Sequence, residues 1–241
     1  MEKMLMDDMN VELVDHMGSD LTVVNAARVS FNKQSGEFKK GDEKLIKYLA
    51  RHNHWTPFGH CTIQFRIKAP IFVARQLVKH QVGLTWNEVS RRYVKDDPEF
   101  YMPESWRANP ENVKQGSSDS DKIEHLNEKG HIEDNVMLLY MKANSLYKQM
   151  LDAGVCAEQA RMVLPLSSFT EWYWTGSLYA FARVCNLRCA KDTQKETRYI
   201  ANKISEKAQN IFPVSWKYLR GDPEHNDNDS IGSRSSSISK V

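Results

Sequence analysis

Residues 62 to 80 constrain the fold more than any other stretch of this chain. Ile63, Phe65 and Ile67 alternate with Thr62, Gln64, Arg66 and Lys68, a period of two that predicts a strand with one buried face. Pro70 then suits the first turn of a helix, because its fixed backbone angle is helical and its missing N–H has no partner to lose there. The spacing predicts a helix through Ile71 to His80, with Phe72, Val73 and Leu77 towards the core and Arg75 and Lys79, four apart, on one face.

The rest of the chain extends this pattern. Val11 to Asp15 reads as a short strand, residues 21–29 are mainly small and aliphatic, and residues 32–41 read as a loop. Asp42 is a candidate cap for a helix carrying Leu45, Ile46 and Leu49. Pro57 and Gly59 interrupt any helix across His54–His60. Later helices are expected at about 135–151, before Pro165, from Thr175-Gly176-Ser177 through Leu187, and at about 192–211. The first of these should carry Val136, Leu139, Tyr140, Ala143, Leu146, Tyr147 and Met150 on one face. Residues 104–133 are polar and charged and read as an insertion or mobile loop, and residues 222–241 as a disordered Ser-rich tail. The order predicts an α+β fold: a small, mainly antiparallel sheet with packed helices, forming one catalytic-size domain over residues 1–221.

Composition narrows the function classes. The chain has 241 residues, of which 41% are hydrophobic and 27% charged, enough for a core without disulfide staples. Its 33 basic and 31 acidic residues give a net charge of +2, which argues against a nucleic-acid coat protein. None of the four cysteines (Cys61, Cys156, Cys185, Cys189) forms a Cys-x-x-Cys pair, and the histidine spacing fits no zinc template, so no metal is expected. With no signal-peptide core at the N-terminus and no run of about 18 apolar residues, the chain reads as soluble and cytoplasmic, with neither membrane nor nucleic acid as partner.

The densest chemistry lies in Arg75-Gln76-Leu77-Val78-Lys79-His80-Gln81 and, after a Gly-containing loop, Asn87-Glu88-Val89-Ser90-Arg91-Arg92-Tyr93. A serine hydroxyl beside arginine forks and backbone N–H groups suits a phosphate monoester. The same residues equally suit a solvated basic helix end followed by a charged turn. Arg161 and Arg188, each in a largely apolar stretch, are either structural ion-pair partners or two cations facing an anion pocket. Neither Gly-x-Gly-x-x-Gly nor a P-loop occurs, so any nucleotide or flavin must be held by side chains and irregular loops.

In four separated segments the chain resembles the flavin-dependent thymidylate synthase family. These are Val14–Asp20 through Ala26–Ser30, His54–His60 into Ala69–Gln76, Asn87–Tyr93, and Ala160–Pro165 with Thr170–Thr175, Asn186–Arg188, Gln194 and Glu196. The resemblance spans roughly residues 10–215. It implies FAD-dependent reductive methylation of dUMP to dTMP, with methylenetetrahydrofolate as carbon donor and NADPH as reductant, in a homotetramer whose active sites lie between subunits. It also implies dUMP contacts from Gln76, Lys79, Glu88, Val89, Ser90, Arg91, Arg92, Arg161 and Arg188, with Arg188 the catalytic cation at the uracil ring. Flavin-side positions are Ser30, His54, Thr56, Lys79, His80, Gln81, Ser177 and Arg183.

The chain departs from the family signature of Arg-His-Arg, seven residues and Ser. It reads Lys79-His80-Gln81, eight residues, then Ser90. Gly59 stands where a Glu is usual, and Ser177 and Arg183 where asparagines are frequent. These changes keep open a related enzyme that hydroxymethylates dUMP, and a nucleotide-binding homologue without catalysis.

Overall fold

The structure, a computed structural model, describes residues 5–109, 117–118, 122–126 and 130–221. The expected tail, 222–241, and parts of the expected insertion lie outside these residues. The strands are β1 (Asn10–Met17), β2 (Thr62–Pro70), β3 (Leu84–Glu88) and β4 (Phe169–Ser177). The helices are α1 (Asp20–Arg28), α2 (Lys40–Arg51), α3 (Thr56–Gly59), α4 (Ile71–Leu77), α5 (Ile132–Asp152), α6 (Ala157–Ala160), α7 (Leu178–Arg188), α8 (Lys195–Ile211) and α9 (Pro213–Leu219). The strands form one sheet in the order β1-β2-β4-β3, with every neighbouring pair antiparallel. The fold is α+β, as the sequence predicts.

The period-two pattern of β2 fixes the core. Ile63, Phe65 and Ile67 are all 0% exposed. On the same face Trp86 of β3 sits opposite Trp174 of β4 and stacks on Trp172 with ring centroids 4.5 Å apart. Phe181 of α7 meets Phe65 and Trp174 edge-on at 5.1 and 5.3 Å, so helix and sheet close on one aromatic cluster. The outer face is polar: Arg66 pairs with Glu171 at 2.9 Å, and Gln64 donates to Thr175 Oγ1 at 2.9 Å. In α8, Ile200, Ala201, Ile204 and Ala208 are fully buried, as their helical spacing requires. No helix among the described residues is long and apolar enough to cross a membrane.

Several expectations are corrected. The helix expected through His80 ends at Leu77, so Lys79 and His80 sit in the following turn rather than on the helix beside Arg75. α2 begins at Lys40, and Asp42 is its third residue. Its carboxylate accepts the Lys39 backbone N–H at 2.8 Å, the reciprocal half of a capping box, rather than capping from outside. Thr175, Gly176 and Ser177 finish β4, and only Ser177 serves the helix, its Oγ accepting the Ala180 N–H at 3.2 Å. The helix before Pro165 is two short pieces, α6 and a 3-10 turn at Arg161–Val163. In α5, Tyr140, Ala143 and Tyr147 are buried, while Leu139 and Leu146 are 55% and 47% exposed. The apolar stripe there is wider than the single chain covers.

The described part of 104–133 is anchored to the core. Trp106 packs on the Phe100–Met102–Tyr140 cluster. Arg107 Nη2 forms an ion pair with Glu196 of α8 at 2.9 Å, and the Tyr101 hydroxyl donates to the same carboxylate at 3.2 Å.

Candidate active site

Three of the expected residues meet where the α4–β3 turn faces the end of α7. Arg188 Nε donates to His80 Nε2 at 3.0 Å, and Arg188 Nη2 makes a long 3.5 Å contact to the Gln76 carbonyl. An imidazole nitrogen that accepts carries no proton, so His80 is neutral here. Half-burial and the cations of Arg188 and Arg183 push its pKa below the usual histidine value. The Gln76 amide is held from both ends: its Nε2 donates to Gln194 Oε1, and its Oε1 accepts from Thr197 Oγ1 at 3.1 Å. α8 therefore fixes which way that amide points. Thr197 is a positioning residue whose pairing with Gln76 no local sequence pattern reports.

The loop between His80 and β3 is built for close approach. Gly83 has φ +77°, and a Cβ there would lie 3.2 Å from Ala180 Cβ. Its carbonyl accepts the Ser177 N–H at 3.2 Å. At Gly176 a Cβ would lie 2.6 Å from the Gly83 carbonyl, so only glycine fits on that side too. This seats Gly83 against the N-terminus of α7, with Gln81 and Val82 exposed just before it. Lys79 and Arg183 are exposed, and neither makes a hydrogen bond or ion pair among the described residues.

β3 carries the chain from this cluster to Ser90. Both carboxylate oxygens of Glu88 are engaged: Oε1 accepts from Thr170 Oγ1 at 2.8 Å and Oε2 from Trp86 Nε1 at 3.1 Å. Val89 N–H continues the sheet to the Glu171 carbonyl at 2.9 Å. Ser90 opens a tight turn whose carbonyl accepts the Tyr93 N–H at 2.9 Å. Ser90 Oγ accepts from Arg92 N and Nε at 3.4 and 3.2 Å, while Arg91 is tied to the Asp96 carbonyl at 2.8 Å. Arg92 thus presents its fork beside Ser90, whereas Arg91 spends part of its own on the loop.

The remaining positions are not brought into this cluster by hydrogen bonds or ion pairs among the described residues. Arg161 is exposed and makes only a long 3.4 Å contact to the Glu158 carbonyl. Ser30 is exposed in a 3-10 turn between Val29 and Phe31, themselves 70% and 74% exposed. His54 and Thr56 are exposed around the start of α3. Within one chain the candidate residues form separate open groups. Among the described residues no group of His, Cys, Asp or Glu side chains could hold a metal ion.

The family model described as "Thymidylate synthase complementing protein" matches residues 12–214. The chain is 40% identical over 229 residues to the flavin-dependent thymidylate synthase of Thermosipho africanus, a match covering 92% of this chain and 97% of the relative. It belongs to the flavin-dependent thymidylate synthase family. A second family member, from Thermus thermophilus, is 38% identical over 210 residues, 86% of this chain and 73% of its own length. The crystal structure of a UMP/dUMP methylase from Streptomyces cacaoi bound with 5-Br dUMP superposes with a TM-score of 0.78 at 30% identity, covering 91% of this chain and 96% of that one.

Proposed function

We propose that this protein methylates dUMP to dTMP, using methylenetetrahydrofolate as carbon donor, NADPH as reductant and FAD as the bound redox group. The observation that carries the reading is the Gln76–His80–Arg188 cluster, an ordered amide and a cation held by a neutral imidazole. The named relatives act as flavin-dependent thymidylate synthases or as a UMP/dUMP methylase.

In this reading Arg188 lies against the pyrimidine and stabilises negative charge developing on its carbonyl oxygens. His80 takes the Nε donor and so leaves terminal N–H groups of the fork for the ring. Gln76 offers its oriented amide to the same ring. Ser90, Arg92 and the Val89–Arg91 backbone hold the phosphate, with Lys79, Arg161 and the Glu88 strand end closing the nucleotide site.

The residues present fit a flavin dinucleotide. Arg183 and Lys79 are open cations without a partner among the described residues, and Ser177 and Gln81 add neutral donors beside them. Ser30, His54 and Thr56 complete the flavin side. The flavin, when bound, supplies the hydride chemistry, and the protein orients and charges it. The separate, open groups within one chain support a homotetramer in which subunits close each site. The proposed catalytic unit is residues 1–221, acting in the cytoplasm.

The test is product mass. Purified protein is incubated with dUMP, methylenetetrahydrofolate, NADPH and FAD, and the nucleotide is weighed. A mass matching dTMP that disappears without FAD is the expected result. A product one oxygen heavier would establish hydroxymethylation instead, and no product would leave a nucleotide-binding homologue. A parallel reaction with UMP reads out whether the 2′-hydroxyl is tolerated.

A further inference from the structure

α7 ends between two cysteines one turn apart. The last backbone bond of the helix joins them, from the Cys189 N–H to the Cys185 carbonyl at 3.0 Å. Residues four apart on a helix share a face, so the two thiols are neighbours. Their surroundings differ. Cys185 is fully buried against α8, its Sγ 3.5 Å from the Ala201 carbonyl. Cys189 is partly open. Arg220, which follows α9, is tied to this part of α7: its Nη1 donates to Asn186 Oδ1 at 2.6 Å, and Asn186 Nδ2 donates to the Leu219 carbonyl at 3.0 Å. The Cys185 thiol and the charge of Arg220 draw the Cys189 pKa below the usual thiol value, while burial raises that of Cys185. An open, acidic thiol beside a buried one is the arrangement of an oxidisable cysteine and its resolving partner.

The turn that the two cysteines span contains Arg188, whose Nε donates to His80 Nε2 at 3.0 Å. Cβ atoms four apart on a helix are about 5–6 Å from each other. A disulfide needs them at about 3.5–4.5 Å. Joining the two sulfurs therefore pulls the last turn out of helical shape, and Arg188 moves with it. A disulfide that distorts its surroundings is also readily reduced, as a reversible switch in a reducing compartment must be.

We propose that Cys185 and Cys189 form a peroxide-responsive switch, in which their disulfide distorts the end of α7 and withdraws Arg188 from His80. The Cys189 thiolate attacks one oxygen of hydrogen peroxide; an S–O bond forms, the O–O bond breaks and hydroxide leaves. The Cys185 thiol then attacks the sulfenic sulfur. The S–S bond forms, the S–O bond breaks, and the oxygen leaves as water with the Cys185 proton. The two sulfurs give up two electrons, and one peroxide becomes two waters once the hydroxide takes up the proton that Cys189 had released. Only the effect on turnover rests on the role given to Arg188 above.

The experiment treats the full chain, carrying Cys156→Ser to remove the exposed thiol, with hydrogen peroxide and then blocks the remaining thiols. Trypsin cuts after Arg188, so the bond appears as peptide 184–188 joined to peptide 189–191. Amide hydrogen exchange across 184–191 rises on oxidation, turnover falls about tenfold or more, and dithiothreitol restores both. Adding Cys189→Ser or Cys185→Ala leaves the reduced activity in place and removes its loss with peroxide. Absence of the joined peptide overturns the switch, and so does a joined peptide with unchanged exchange. Unchanged turnover in an active, fully joined enzyme overturns the control of Arg188. A reduced protein that makes no dTMP overturns the functional reading alone, since the joined peptide and the exchange still decide the switch.

Discussion

Arg188 Nε donates to His80 Nε2 at 3.0 Å, joining residues 108 positions apart. The bond orients a planar fork that a lysine could not reproduce, because an ammonium is a point charge without the fixed geometry. Arg188→Ala should abolish turnover, by about a hundredfold or more if one charge-stabilising donor is lost. Arg188→Lys should recover little. Half-burial of this side chain predicts an unaltered fold, checked by circular dichroism melting alongside product formation. An active Arg188→Ala enzyme would contradict the role.

The same bond sets a pH dependence. His80 must be unprotonated to accept from Arg188, and burial with the cations of Arg188 and Arg183, both from α7, holds its folded pKa below 6.5. As pH falls through 6.5, the unfolded chain takes the proton first, so stability present above 6.5 is lost between that value and the lower folded pKa. Turnover should outlast the ordinary histidine titration and then fall as imidazolium repels Arg188. His80→Gln should flatten that acid limb. Profiles of kcat against pH for both proteins check it, and identical acid limbs would refute the assignment.

Ser90 is expected to act on binding rather than on chemistry. Its Oγ accepts from the Arg92 backbone N–H and from Nε, and the Nε contact holds the fork in place at the turn. Ser90→Ala should raise KM for dUMP by the equivalent of about 1–3 kcal/mol with a smaller change in kcat. A KM that does not move would remove Ser90 from the phosphate site.

What the sequence made legible was whatever repeats on one element. The alternation of β2 and the helical stripe of α8 are both buried as their spacing demands, because each pattern encodes one face. β3 was not legible: it has five residues at a sheet edge, with Thr85, Asn87 and Glu88 exposed, and only its pairing with Trp172 and Trp174 makes it a strand. That pairing also gives the loop after Gln81 its place, ending β3 just before Ser90. The cluster itself was legible only as residue types. Gln76 meets Thr197 across 121 positions, and no local period can report a contact of that separation.

Arg107 and Glu196 carry a stability prediction independent of catalysis. Their side chains are 16% and 3% exposed, and the Glu196 carboxylate's other partner among the described residues is the Tyr101 hydroxyl at 3.2 Å. Arg107→Met leaves that carboxylate buried without its cation, which costs about 3–5 kcal/mol. The double change Arg107→Met with Glu196→Leu should recover much of the loss, since replacing a whole buried pair with apolar groups is often nearly neutral. Urea unfolding of the three proteins decides it, and a fully stable single variant would show that the pair is not buried in solution.

Cys189 reports on the site from the next position in the chain. The neighbouring Cys185 thiol and the positive charge of Arg220 lower its pKa below the usual thiol value. Burial pushes Cys61 up to about 12. The thiolate is the reacting form, so near neutral pH iodoacetamide should alkylate Cys189 readily and leave Cys61 untouched. Cys156 is exposed, so a Cys156→Ser background isolates the signal. If Arg188 grips the nucleotide, dUMP should slow labelling of its half-buried neighbour several-fold, read by peptide mass. Labelling at the same rate with and without saturating dUMP would separate Cys189, and the helix end it shares with Arg188, from the nucleotide.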